Sequence, residues 1–139
     1  MARCLNDKGY SVTAVLDIDA TVAKELAAEL GAKACSRLSD VTAHSDIVFT
    51  VVTNDAAMDA IFFGDDNLFA GAQDRLFINC ATLSPSIHEK LDGAAIEFGA
   101  HCLEACMASS IPQARSGELY LMIGGDESVF QANKPLLDD

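Results

Sequence analysis

Short β-rich apolar runs alternate along the chain with stretches whose apolar residues recur at helical spacing. Met1, Cys4 and Leu5 share one helical face, and Gly9 can end that helix. Ser11 to Leu16 (SVTAVL) is rich in β-branched residues and predicts a strand. Ala23, Leu26, Ala27 and Leu30 fall at i, i+3, i+4 and i+7, an amphipathic helix closed by Gly31. Lys33 to Cys35 predicts a short strand and Leu38 to Ala43 a short helix. Asp46 to Val52 is a nearly continuous apolar run, the pattern of a strand buried on both faces in a parallel sheet. A helix carrying Met58, Ile61 and Phe62 follows, then a loop from Gly64 to Gly71 and a buried strand from Leu76 to Cys80. Ser84-Pro85 opens the next helix, with Ser as cap and Pro at the first helical position. Its stripe is Ile87, Leu91, Ala94 and Phe98. Strands are predicted at His101–Cys106 and Leu119–Ile123. Between them lie a break of small residues, Ala108-Ser109-Ser110, and a short helical segment with Gln113 and Arg115. Asp126 can cap a last helix running towards Leu137, which Pro135 bends or restarts.

Strands alternating with helices at this spacing predict one α/β domain with a mostly parallel sheet. Its 139 residues suffice for one core. The formal net charge of −12 argues against nucleic acid or an anionic membrane surface as the main partner. An anionic cofactor stays open, because backbone amides can bind phosphate in an acidic protein. No apolar run reaches the ~18 residues of a membrane span, and the first residues hold no signal-peptide core. The five cysteines are odd in number and read as reduced, buried thiols in a cytoplasmic protein. Cys102-x-x-x-Cys106 lacks a second pair, so packing on one strand face is the stronger reading over a metal site. His44 and His88 read as surface helix residues, and His101 starts a strand. No histidine receives a catalytic role and no metal site is assigned.

In such sheets ligands sit beyond the carboxyl ends of the strands. The residues there are Asp17, Val52-Thr53-Asn54, Ala81-Thr82 and Ala108-Ser109-Ser110. Asp17 can accept hydrogen bonds from a ribose diol, and Asp19 would repel a 2′-phosphate, which favours NAD over NADP. Alternatively, Asp17 or Asp19 caps the following helix. Thr82 can touch a ribose or substrate, or be a turn residue. Ala108-Ser109-Ser110 can bring backbone close to a ligand, or be an ordinary loop. Neither Gly-x-Ser-x-Gly, Gly-x-x-x-x-Gly-Lys nor Gly-x-Gly-x-x-Gly occurs.

Several segments together, in order, resemble one family. Gly9-Tyr10-Ser11-Val12 resembles the entry to its second strand, and Val51 to Ala57 its Leu-Pro segment followed by acidic residues. Asn79-Cys80-Ala81-Thr82-Leu83-Ser84-Pro85 is similar to Asp-x-Ser-Thr-x-Ser-Pro. Leu103 to Ser110 is similar to Asp-Ala-Pro-Val-Ser-Gly-Gly, and Gly117 to Glu127 to the segment after it. The family is that of the β-hydroxyacid dehydrogenases, of the 3-hydroxyisobutyrate and 6-phosphogluconate dehydrogenase type. The resemblance implies a Rossmann-like, doubly wound, mostly parallel sheet. It implies hydride transfer between a small 3-hydroxyacid and NAD, with NADP as the alternative. It also implies Asp17 at the adenosine ribose, Val52 and Thr53 beside the cofactor and Thr82 at its ribose–nicotinamide end. Ala108, Ser109 and Ser110 would line the substrate, the two serines offering amides to its carboxylate. Val52-Thr53 in place of Leu-Pro, Ala81 in place of Ser, and Ala108-Ser109-Ser110 in place of Ser-Gly-Gly leave the substrate open.

Against the family pattern, the first strand and its glycine-rich turn do not match any part of residues 1–139. The helical domain that supplies the catalytic lysine and usually the dimer contact is likewise unmatched. Neither Lys90 nor Lys134 stands at the lysine's motif position. The expectation is therefore an incomplete dinucleotide-binding domain, inactive alone, with homodimers only in a longer form. Two other readings stand beside it: a non-catalytic Rossmann-like binding module, and a relative that reduces imines or sugar acids.

Overall fold

The computed structural model describes residues 1–139. Its elements are α1 (Ala2–Asp7), β1 (Ala14–Val15), α2 (Ala20–Leu30), β2 (Lys33–Ala34), α3 (Leu38–Ala43), β3 (Ile47–Thr50) and α4 (Asp55–Phe63), followed by β4 (Leu76–Asn79), α5 (Pro85–Glu97), β5 (His101–Met107), α6 (Ile111–Ser116), β6 (Leu121–Gly125) and α7 (Glu127–Asp138). Every predicted element is present. Strands β3, β4 and β5 run parallel in that order, and β6 adds antiparallel to β5. The sheet carries helices on both faces, as a Rossmann-like fold requires.

Alternation along the strands sorts the core into two layers. Val48, Phe77 and Cys102 face α4 and α5, against Met58, Phe62, Ile87, Leu91 and Ala95. Leu76, Ile78, Leu103 and Ala105 face the other way, against Met1 and the α7 residues Val129, Phe130, Leu136 and Leu137. Gly64 to Gly71 is loop as predicted, yet it is part of the first layer. Leu68 and Phe69 are buried, and Phe69 stacks on Phe98 with centroids 4.9 Å apart while meeting Phe62 and Phe77 at its other sides.

Two expectations about strands are corrected. The SVTAVL run pairs only over Ala14–Val15, because its sole neighbour, β2, is two residues long. The Asp46–Val52 run is strand only over Ile47–Thr50, and Val51 is already exposed. Moreover, β1 and β2 form their own two-stranded sheet, without a ladder to β3. Thr13 and Val15 direct their carbonyls to β2, and Asp46 and Thr50 direct theirs to β4. By strand alternation, Ala14, Leu16, Ile47 and Phe49 turn their backbone groups to the remaining edges, where no strand pairs with them. Just before the two strands, the Thr13 and Ser45 hydroxyls are 3.3 Å apart.

Helix ends follow the local chemistry. Asp19 caps α2 through Thr21 N–H, Asn54 caps α4 through Ala57 N–H and Asp126 caps α7 through Ser128 and Val129 N–H. Ser84 stands at the N-cap of α5 as predicted, with Pro85 at the first helical position, but its side chain makes no capping bond. Its hydroxyl donates to Asp55 instead. Pro135 lies inside α7 without ending it. Gly117 ends α6 in the left-handed region, φ 75°, and a Cβ there would stand 2.7 Å from the Asp139 carbonyl oxygen.

Candidate functional site

The parallel register aligns Thr50 with Asn79 and Asn79 with Glu104. The loops after β3, β4 and β5 therefore leave one edge of the sheet side by side. They carry Val52-Thr53, Thr82 and Ala108-Ser109-Ser110. Below that edge a buried polar chain crosses the strands. Thr50 Oγ1 donates to Asn79 Oδ1 at 2.7 Å, and Asn79 Nδ2 donates to Cys102 Sγ at 3.0 Å. Asn79 is 0% exposed, and these bonds give each end of its amide a partner within the chain.

Each predicted residue has a distinct setting. Asp17 is exposed, and its Oδ1 accepts from Asp19 N–H at 2.8 Å. Asp19, not Asp17, caps the helix, which leaves Asp17 Oδ2 free for a ligand. Asp17 follows β1, which pairs with β2 and not with the four-stranded sheet. Val52 is half-buried against the core, Thr53 and Thr82 are exposed, and Ala81 beside Thr82 is buried. Exposed apolar side chains, Ile18 and Val51, stand next to Asp17 and Val52.

In the small-residue break the amides are mostly spent within the chain. Ala108 N–H donates to Tyr120 O at 3.0 Å, and Ser110 N–H donates to Gln113 Oε1 at 2.9 Å. Ser109 Oγ accepts from Tyr120 N–H at 2.9 Å. Only the Ser109 N–H has no partner here. Of the two serines expected to offer amides, Ser109 has one available and Ser110 is committed to the start of α6.

Other site residues carry no motif. Asp55, at the start of α4, accepts from Ser84 N–H at 3.1 Å and Ser84 Oγ at 2.5 Å, and so ties two loops of the edge together. The Ser84 hydroxyl, with its amide, holds the Asp55 carboxyl below the usual carboxylate range. Spacing alone does not show this pair, which joins residues 29 apart. Cys106, at the end of β5, donates to Glu104 Oε1 at 3.0 Å and lies 3.4 Å from Ala81 O. Burial, then the Glu104 carboxylate, pushes the thiol above its ordinary value. His88, read as a surface residue, has a side chain only 10% exposed. Its place three residues before Leu91 and seven before Ala95, on the buried stripe of α5, is the signal that marks it.

An apolar cleft of about 340 Å³ lies elsewhere, between α1, α6, β6 and α7, lined by Leu5, Leu119, Ile123 and Phe130 among others. None of the seven predicted residues borders it.

The sequence family described as the NAD binding domain of 6-phosphogluconate dehydrogenase matches residues 1–139. The chain belongs to this family. The mitochondrial 3-hydroxyisobutyrate dehydrogenase of Drosophila melanogaster is 31% identical over 139 residues, 99% of this chain and 42% of that protein. The 3-hydroxyisobutyrate dehydrogenase of Mycobacterium tuberculosis, solved with L-serine, superimposes with a TM-score of 0.87 at 25% identity, over 99% of this chain and 46% of that one. A Myxococcus stipitatus imine reductase shares the fold. Its NAD+ complex, of a variant, and its NADP+ complex superimpose with TM-scores of 0.87 and 0.84 at 20% and 19% identity, each over 99% of this chain and 46% of that one. This NAD-binding domain thus spans less than half the length of the relatives it matches. No helix in it is long and apolar enough to cross a membrane.

Proposed function

We propose that this NAD-binding domain is the cofactor half of an oxidoreductase that moves hydride between a nicotinamide and a small 3-hydroxyacid. The carrying observation is the common edge: the register of β3, β4 and β5 sets Thr53, Thr82 and Ser109 on adjacent loops. Asp17 would accept from the adenosine ribose through its free oxygen. Val52 and Thr53 would border the cofactor, and Thr82 would meet the ribose at the nicotinamide end. Ser109 N–H is the amide left to receive a substrate carboxylate, with Ala108 and Ser110 beside it. Bound nicotinamide would supply the hydride acceptor or donor, and the chain's own part is to orient it and exclude water.

The donor set fits the ribose and nicotinamide ends of such a cofactor but not its pyrophosphate. Helix α1 is six residues long, and the Met1 amine at its start donates to Ala114 O at 3.0 Å. The unpaired edges of β1 and β3 support a further strand between them in the working enzyme, bringing a glycine-rich phosphate turn. The same reading places the catalytic lysine and the homodimer contact in a partner domain. Five unpaired, buried thiols support a reducing, cytoplasmic setting.

Cofactor preference tests the assignment of Asp17. In the chain extended by the strand and turn of the Drosophila relative, NAD should bind at least ~10-fold more tightly than NADP. Asp17→Ala should weaken NAD ~10–100-fold, the worth of charged hydrogen bonds of ~1.5–3 kcal/mol. Equal affinity for both cofactors, untouched by the substitution, would remove Asp17 from the site.

A further inference from the structure

A cluster of three further residues, one turn into α5 and on the face of β5 beneath it, adjoins the loop that carries Thr82. We propose that His88, Glu104 and Cys106 bind a borderline-soft divalent cation, with zinc the natural occupant. Their ligand atoms all lie within 4.8 Å of one another. Glu104 Oε1 is shared: it stands 3.5 Å from His88 Nε2 and 3.0 Å from Cys106 Sγ. The His88–Glu104 separation lies within, and the Glu104–Cys106 separation about 0.3 Å short of, the roughly 3.3–3.8 Å between neighbouring ligand atoms of a tetrahedral ion with bonds of about 2.0–2.3 Å.

The histidine itself is poised for a ligand. Its side chain is nine-tenths buried, and Nε2 is enclosed without a hydrogen-bond partner. A buried ring nitrogen left without a partner is costly and uncommon. Here it points at a thiol and a carboxylate, the two other donor types that zinc takes. Sequence alternation explains the convergence. Cys102, Glu104 and Cys106 occupy one face of β5, the face that α5 covers, and Cys102 is already committed to Asn79. Binding replaces one proton: the Cys106 thiol proton passes to water, the sulfur becomes a thiolate, and Glu104 exchanges that hydrogen bond for a metal bond. The Glu104 side chain is 35% exposed, so a fourth position opens to solvent for water. One sulfur, one imidazole and one carboxylate favour zinc or cobalt over magnesium or calcium, which take oxygen ligands.

The test uses Co2+ as a coloured probe and Zn2+ as its competitor, on the 139-residue chain. One equivalent of Co2+ should produce a thiolate-to-metal charge-transfer band, and Zn2+ should bleach it while excess Mg2+ does not. Cys106→Ser and His88→Ala should each weaken binding by more than the ~10–100-fold typical of losing an outer-shell partner, and Cys35→Ser should leave it unchanged. X-ray absorption on the unsubstituted zinc-loaded chain reads the ligands whether or not a variant folds. One sulfur at about 2.3 Å with nitrogen and oxygen at about 2.0–2.2 Å is expected. No charge-transfer band, a band that survives Cys106→Ser, or a zinc shell without exactly one sulfur would overturn the proposal.

Discussion

Asn79 shows how one residue can serve the fold and the site edge together. It is fully buried, and both ends of its amide are bonded, to Thr50 on β3 and to Cys102 on β5. Asn79→Ala leaves the buried Thr50 hydroxyl only the weak Met58 sulfur acceptor at 3.8 Å and should cost ~1–3 kcal/mol in urea unfolding. A change below ~0.5 kcal/mol, the range of a surface substitution, would mean that Thr50 finds another partner. The thiols give a second reading. Burial pushes Cys80 and Cys102 up to about 12. Both should therefore resist alkylation at pH 8 in the native chain and react on unfolding, and rapid native labelling of either would contradict the packing. Carboxylates at helix starts work in the opposite direction. Asp66 accepts from the Ser39 hydroxyl at 2.7 Å and from the amides of Leu38 and Ser39, reaching from a loop to the start of α3. The Ser39 hydroxyl foremost holds its carboxyl low, and the Ser84 and Ser128 hydroxyls do the same for Asp55 and Asp126. A folded value below the unfolded one gives stability that is full above the ordinary carboxylate range of ~4 and is lost as pH falls through the lower folded value. Thermal melts should thus be flat near neutrality and fall in acid, with a shallower acid slope in Asp66→Asn.

At the scale of elements, periodicity carried most of the information. Each predicted helix and strand exists, because apolar spacing and caps such as Asp126 act locally. What stayed hidden depends on contacts between distant residues. SVTAVL has the composition of a six-residue strand, but pairing needs a neighbour, and β2 offers two residues. Phe69 sits in a loop by sequence, yet it closes the aromatic cluster with Phe62, Phe77 and Phe98. The site divides the same way. Loops at strand ends were legible from the α/β pattern. The capture of Ser110 N–H by Gln113, the Asp55–Ser84 tie and the buried aim of His88 were not, since each is set by side-chain geometry. Leu91 anchors α5 at 0% exposure, and Leu91→Ala should cost ~2–5 kcal/mol. The edges of β1 and β3 that pair with nothing should be the weak part of the fold. Backbone amides of Leu16, Ile47 and Phe49 should exchange with solvent well before those of Phe77, Ile78 and Leu103, and equal protection would indicate a ladder across the gap.

The whole molecule is a two-layered α/β domain of the NAD-binding family with a line of loops at one edge. The proposed strand and turn would fill the β1–β3 gap and supply an anion site, linking fold stability to cofactor binding. Calorimetric titration of NAD into the 139-residue chain, and into the same chain extended by that strand and turn from the Drosophila relative, tests this link most directly. The account predicts no saturable binding below about millimolar NAD for the chain alone, and a gain of at least ~100-fold in affinity, about 2.7 kcal/mol, for the extended form. Micromolar binding by the 139-residue chain alone, or no gain on extension, would contradict it.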